Sequence, residues 1–492
     1  MTGGWTAYGG DPGGMRFSPL SAIDRGNVAR LEPAWTYRTG DIVDPAADTP
    51  GTRFEATPIV VWETLYFSTP FNRVIALDPE TGKERWVFDP GVDLTADYSE
   101  DLISRGVSAW EDPDATAGAP CARRIFLGAM DARLFALDAA TGRPCDGFGE
   151  AGMVELKTPE VGEIRSGQYM LTSPPAIVDG AVVVGSAIGD NRMVEMERGI
   201  VRGYDARSGE LLWMWDPVPR TAASPAWSEW QPEDARVTGA ANAWSIISAD
   251  TARGLVFVPT GSASPDFWGG RRRGSNRWAN SVIAIRARTG DVVWGFQVVH
   301  HDLWDYDVAS QPLLTDLEVD GRTVPVVVQA TKMGHVFVLH RETGEPVFPV
   351  EERAVPASDV PGETAWPTQP FPTHPAPLHP TTLRPEDAFG TTDADRTACR
   401  DAIAALRYEG IFTPPSLQGT IVYPSFVGGM NWGSAAFAPP SNTLVVLLNR
   451  FPFWVKLLHR DSIAAFRAQH PEAEIAQQEG AAFAMARAPL MG

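Results

Sequence analysis

The apolar residues of this chain fall in short runs bounded by turn residues. Examples are ATPIVVWETLYFST (56–69), AIVDGAVVVGSA (176–187), GLVFVPTG (254–261), VPVVVQAT (324–331) and NTLVVLLN (442–449), each reading as one or two strands. Superposed on them is a recurring phrase: apolar alternation, usually an Asp, a Thr-Gly or Ser-Gly turn, then a return strand that often ends in Trp. It occurs as IALDPETGKERW (75–86), FALDAATGRPC (135–145), RGYDARSGELLW (202–213), IAIRARTGDVVW (283–294) and VFVLHRETGEPVF (336–348). Each copy is a hairpin whose glycine supplies the positive φ of the turn. The turn glycines Gly82, Gly142, Gly209, Gly290 and Gly344 are 60, 67, 81 and 54 residues apart, room for four short antiparallel strands per copy. The pattern predicts an all-β fold, a β-propeller of four-stranded antiparallel blades.

Two stretches depart from it. The Pro-rich segment 350–410 reads as an insertion with a short helix near 387–408. Residues 459–492 read as a partly helical excursion, with a second helix expected over 461–486. No docking phrase follows Asn449, so the expectation is a single propeller domain over 1–492, incomplete at its C-terminal end, because an open ring leaves sheet edges bare.

Composition sharpens this picture. The 46 Gly and 42 Pro among 492 residues are too many for a helical bundle. With 41 Lys and Arg against 61 Asp and Glu the net charge is −20, which repels phosphate backbones and excludes nucleic acid as a partner. Neither a signal peptide at 1–19 nor an apolar run of membrane-spanning length is present in the sequence. The three cysteines form neither a disulfide framework nor a metal motif. Cys121 and Cys145 flank a strand pair, which leaves one bridge or two free thiols open.

The candidate chemistry lies in VVHHDLWDYDVASQPLL (298–314) and VVQATKMGHVFVL (327–339). Lys332 ends an apolar strand, where an unpaired ammonium is costly to bury. An Asp and a Lys at equivalent ends of neighbouring blades converge on a propeller axis. The tandem His300 and His301 suggest metal, but successive strand residues face opposite sides, and both read as structural.

Together with WTAYGGDPGGMRFSPL (5–20) and RYEGIFTPPSLQGTIVYPSFVGGMNWGSAAF (407–437), these segments make the chain similar to PQQ-dependent (quinoprotein) dehydrogenases, in particular to the branch of the membrane-bound glucose dehydrogenases. That resemblance implies an eight-bladed propeller with tryptophan docking, which accounts for 17 Trp beside 9 Tyr. It implies oxidation of a sugar, polyol or other alcohol with PQQ and Ca²⁺ or Mg²⁺ as cofactors, in the periplasm. No C-x-x-C-H haem site is present, so electrons leave to membrane quinone or a cytochrome.

Residue by residue, the resemblance makes Asp305 the catalytic base, with Asp302 and Asp307 as its rivals, and gives Lys332 the reactive quinone oxygens. Cofactor contacts fall on Glu55, Arg105 in SRGVSAWED, Thr172, Trp244 as the stacking aromatic, Asn431, Trp432 and Asn449. The metal falls on Asp190 and Asn191 in GSAIGDNRMVEMERG and on Ser264 in PTGSASPDFWGG, where Ser262 replaces the Asn of the alcohol-oxidising branch. That branch also has a vicinal Cys-Cys pair, absent from this sequence. The competing expectations are a non-enzymatic propeller scaffold of the outer-membrane assembly type and a sugar-binding propeller without turnover. The scaffold does not need these residues to converge, and sugar affinity with and without PQQ separates the sugar-binding propeller.

Overall fold

A computed structural model describes residues 4–43, 51–165 and 167–490. Four consecutive four-stranded antiparallel sheets are laid down in chain order. The first comprises Ile59–Val61, Thr64–Ser68, Val74–Leu77 and Glu84–Phe88; the second runs from Ser108–Glu111 to Met153–Glu155. The third spans Ala176–Val178 to Leu211–Trp215, and the fourth Ser248–Asp250 to Val292–Gln297. In a fifth sheet, Leu313–Val319, Arg322–Ala330 and Val336–His340, the fourth strand is reduced to a bridge between Leu339 and Pro346. This is a β-propeller built from the repeats.

The phrase tryptophans join one blade to the next. Trp86 donates its indole N–H to the carbonyl of Ala139, Trp213 to that of Ala287 and Trp294 to that of Arg341, at 3.0, 2.8 and 3.0 Å. Each ring lies on the turn glycine of the following blade: a Cβ on Gly142, Gly290 or Gly344 would come within 2.6 Å of the Trp ring. Glycine is needed there twice over, for this approach and for φ between +72° and +78°. The second phrase ends in Cys145 instead of Trp, and Cys145 is bonded to Cys121.

Within 350–410 the chain forms the hairpin Val350–Ala354 with Thr368–Pro372, then the helix Asp393–Ala405, opened by a capping box of Thr392 and Asp395. The helix expected over 461–486 is corrected: it covers only Ile463–Gln469. Pro471 cannot continue it, and the chain returns as Glu474–Ala476 and Ala484–Pro489. These pair with Phe453–Leu458 and Thr420–Val422 in a further four-stranded sheet, with Ala484–Pro489 between Phe453–Leu458 and Glu474–Ala476. That sheet brings a new wall to the site below.

Candidate active site

The polar loop after the fourth blade is organised by Asp302. Its buried carboxylate accepts the backbone N–H groups of Trp304 and Tyr306 at 3.1 and 2.7 Å, the Asn280 amide at 3.1 Å and the Ser262 hydroxyl. Arg272, fully buried, donates to the carbonyls of Pro265, Asp266 and Asp302 and so ties this loop to the one carrying Asp266. Asp302 is consumed in holding the turn and has no oxygen free for chemistry. Asp305 is left in the left-handed region, φ +58°, a strained conformation fixed by its surroundings.

Lys332 Nζ donates to Asp305 Oδ1 and to the Asp305 carbonyl, both at 2.8 Å, and to Asp307 Oδ2 at 3.2 Å. Burial alone would lower the Lys332 pKa, but Asp305 and Asp307 raise it overall, so it stays an ammonium. Asp307 is occupied on both oxygens: Oδ1 accepts the Ser262 N–H and Oδ2 the Trp244 indole N–H at 3.1 Å. Burial opposes its ionisation, yet Lys332 and these donors hold its pKa below the usual value. Asp305 keeps Oδ2 without a short hydrogen bond among the described residues, and burial raises its pKa despite Lys332. Of the three rivals it alone combines the reach and basicity of a proton acceptor.

These groups face a cavity of about 680 Å³ also lined by Glu55, Arg105, Thr172, Asp190, Trp244, Asn431 and Trp432. Residues up to 377 positions apart thus meet in one place, as Glu55 and Trp432 do. Arg105 is 4% exposed, pairs with Glu55 at 3.1 Å and donates to Thr172 Oγ1 at 2.8 Å. Its guanidinium lies 5.1 Å from the Trp244 ring and 5.4 Å from the Trp432 ring. The Asn431 amide is used locally, donating to the Val427 carbonyl and accepting the Trp432 N–H.

Asp190, Asp266 and Asp305 each present a carboxylate oxygen within 4.8 Å of the others. Asp190 is open to the cavity, Asp266 is 5% exposed, and neither makes a hydrogen bond or ion pair through its carboxylate among the described residues. Burial and the neighbouring Glu100 and Asp307 push Asp190 up to about 7; burial and Asp190 raise Asp266 well above its usual range. Two unpartnered carboxylates, Asp190 and Asp266, converging with Asp305 at this spacing match a hard cation with oxygen ligands.

Two expected contacts are corrected, those of Ser264 and Asn449. Ser264 Oγ donates to the Val194 carbonyl at 2.6 Å and accepts the Gly239 N–H, so it faces the backbone and not the cavity. Asn191, next to Asp190, is buried, and neither its Oδ1 nor its Nδ2 has a hydrogen-bond partner among the described residues. Asn449 is exposed and contributes only its backbone N–H, to Gly429. His300 and His301 have separate partners: His300 meets Gln297 and Glu352, and His301 meets the Gly274 carbonyl and Glu363.

Sequence reading missed Asp266, Glu100, Glu474 and Arg487. Asp266 stands two residues after Ser264 in an otherwise apolar and small-residue loop, which was the available signal. Glu474 and Arg487 carry none: Glu474 lies where a helix was expected and Arg487 just beyond its end. They face each other across paired strands, and Arg487 reaches to 3.5 Å from Asp305 Oδ2.

The family model described as PQQ: glucose/ethanol/alcohol dehydrogenase, beta-propeller domain, matches residues 5–492. The chain belongs to this family. The quinoprotein is 39% identical over 463 residues to the quinoprotein glucose dehydrogenase of Escherichia coli (strain K12), an alignment covering 93% of this chain and 57% of that protein. It is 38% identical over 464 residues to the glycerol dehydrogenase large subunit of Gluconobacter oxydans (strain 621H), covering 93% and 61%. Among solved structures, the quinohemoprotein alcohol dehydrogenase from Comamonas testosteroni superposes with a TM-score of 0.66 at 25% identity, covering 93% of this chain and 59% of the other. The quinoprotein chain therefore spans about three fifths of the length of the relatives it matches.

Proposed function

We propose that this chain is the PQQ-binding part of a dehydrogenase that oxidises a sugar, polyol or related alcohol. The observation carrying the proposal is the meeting of Asp305, Lys332 and Asp190 in one cavity with Arg105 and Trp244, with a buried Asp266 carboxylate oxygen within 4.8 Å of those of Asp190 and Asp305. The residues fit a flat, anionic cofactor: buried Arg105 and Thr172 offer donors to carboxylates, and Trp244 and Trp432 offer aromatic surface. Asp190 and Asp266 would hold Ca²⁺ or Mg²⁺ beside Asp305. When bound, PQQ supplies the acceptor for the carbon-bound hydrogen with its electron pair, and the cation a Lewis acid beside it.

The chain's own work is proton handling and orientation. Asp305 Oδ2 accepts the hydroxyl proton of the alcohol. Lys332 fixes Oδ1 so that Oδ2 points into the cavity, and Asp302 with Arg272 holds the turn that sets this direction. The Asp305 charge is balanced by Lys332 and Arg487, so the carboxylate stays usable as a base. Electrons then pass to membrane quinone or a cytochrome, which fits a chain without a C-x-x-C-H motif. The Cys121–Cys145 disulfide supports an oxidising compartment such as the periplasm. Among the described residues no helix is long and apolar enough to cross a membrane.

Titration of the purified protein with PQQ in the presence of Ca²⁺, followed by absorbance, tests the reading. Saturable binding at one equivalent, weakened by Arg105→Ala, is expected. Absence of binding overturns the enzyme assignment.

A further inference from the structure

Arg487 occupies an unusual position for a residue outside the blade repeats. From the strand Ala484–Pro489 its Nε donates to Glu474 Oε2 at 2.8 Å, a cross-strand pair. Its guanidinium lies 3.9 Å from the Phe426 ring centroid and 5.7 Å from that of Phe267, which fixes the plane of the group. Nη1 points along that plane to Asp305 Oδ2, 3.5 Å away, the oxygen that Lys332 leaves free. An arginine carries five N–H donors, and only those on Nε and Nη1 have acceptors among the described residues. The remaining donors belong to a side chain that lines the cavity beside the proton-accepting oxygen.

Charge decides what those donors recognise. Glu474 and Asp305 already answer the Arg487 charge, and Asp190 in the same cavity, with Asp266 buried beside it, has no partner among the described residues. The guanidinium therefore has hydrogen bonds to offer but no net attraction for an anion. A substrate hydroxyl on Oδ2 sits about 2.7 Å from that oxygen. An oxygen on the next carbon then falls within reach of the fork.

Resting on the dehydrogenase reading above, we infer that Arg487 is a specificity-determining residue that binds the neighbouring hydroxyl of a neutral vicinal diol while Asp305 takes the proton from the one being oxidised. The substrate class is narrowed to 1,2-diols, whether in open polyols or sugar rings, over simple monoalcohols and over hydroxy acids. Losing the fork leaves the second hydroxyl without a donor, a loss that the diol bears beyond whatever both substrates share through Asp305, so the diol-to-monoalcohol ratio falls.

The test compares kcat/KM for propane-1,2-diol, propan-1-ol and lactate in the PQQ- and Ca²⁺-loaded protein and in Arg487→Met, with PQQ binding measured by absorbance in each. The wild type is expected to prefer the diol to both competitors. Arg487→Met should bind PQQ and lower the diol-to-monoalcohol ratio by about tenfold. If that variant does not fold, Arg487→Lys, which keeps the charge but not the planar fork, is read in its place and should lower the ratio at least about threefold. A ratio unchanged within twofold in a folded, PQQ-binding variant, or a wild-type preference for lactate, overturns the role of Arg487 and leaves the dehydrogenase reading standing. Failure of the wild type to bind PQQ overturns both.

Discussion

Lys332 grips Asp305 twice, donating from one ammonium to its backbone carbonyl and to its Oδ1, each at 2.8 Å. The pair fixes both the left-handed backbone of Asp305 and the direction of its carboxylate. Replacing Lys332 by Met removes the cation that opposes the burial-driven rise of the Asp305 pKa. The carboxylate then needs a higher pH to ionise, so the acid limb of the pH–rate profile should move upward, and kcat/KM near neutrality should fall at least about 100-fold. Steady-state rates between pH 5 and 9 check this.

The cation assignment separates Asp266 from Ser264, two residues apart in one loop. Asp266→Asn should weaken Ca²⁺ binding by tenfold or more, measured by calorimetry or terbium luminescence, because it removes one of three converging carboxylates. Ser264→Ala removes hydrogen bonds to Val194 and Gly239 and should cost about 1 kcal/mol of stability. It should leave the calcium affinity as it was.

His335 makes a prediction about acid stability. It is fully buried among Phe337, Phe371 and Phe412, and neither ring nitrogen has a partner among the described residues. Burial lowers its pKa from 6.5 to about 3. The unfolded chain therefore takes up a proton between these values that the folded one refuses. The stability contribution is complete above pH 6.5 and is lost as pH falls toward 3, by roughly 5 kcal/mol. His335→Phe should flatten the dependence of unfolding free energy on pH over this window, read by urea titrations at pH 4 and 7.

The Cys121–Cys145 disulfide closes a loop of 24 residues' separation in the second blade. Chain entropy assigns it about 3 kcal/mol. Reduction, or the Cys121→Ser/Cys145→Ser pair, should lower the urea midpoint accordingly without altering PQQ binding, since neither cysteine lines the cavity.

The blades were legible because the repeat couples a turn that only glycine adopts easily to a tryptophan that covers it, so Trp213 and Gly290 identify one another along the chain. Asp305, Lys332 and Arg105 were found through motifs, and the fold places them around one cavity. The errors share one cause. Ser264 sits in the right loop, but whether a side chain faces the site or the backbone depends on local turns; the loop that turns Ser264 toward Val194 brings Asp266 beside Asp190 and Asp305. Arg487 was invisible because its strand is defined by pairing with Phe453–Leu458 and Glu474–Ala476, not by a local period. The expected helix over 461–486 failed at Pro471, beyond which long-range pairing decides the structure.

The most direct test of the account is turnover in Asp305→Asn, which keeps the shape of the side chain but removes its basicity. Purified wild type and variant would be loaded with PQQ and Ca²⁺, and PQQ occupancy and diol-dependent dye reduction measured on the same samples. The account predicts saturable PQQ binding in both and a loss of kcat of at least about 1,000-fold in the variant. Dye reduction by Asp305→Asn within about tenfold of the wild-type rate, at equal PQQ occupancy, would contradict it.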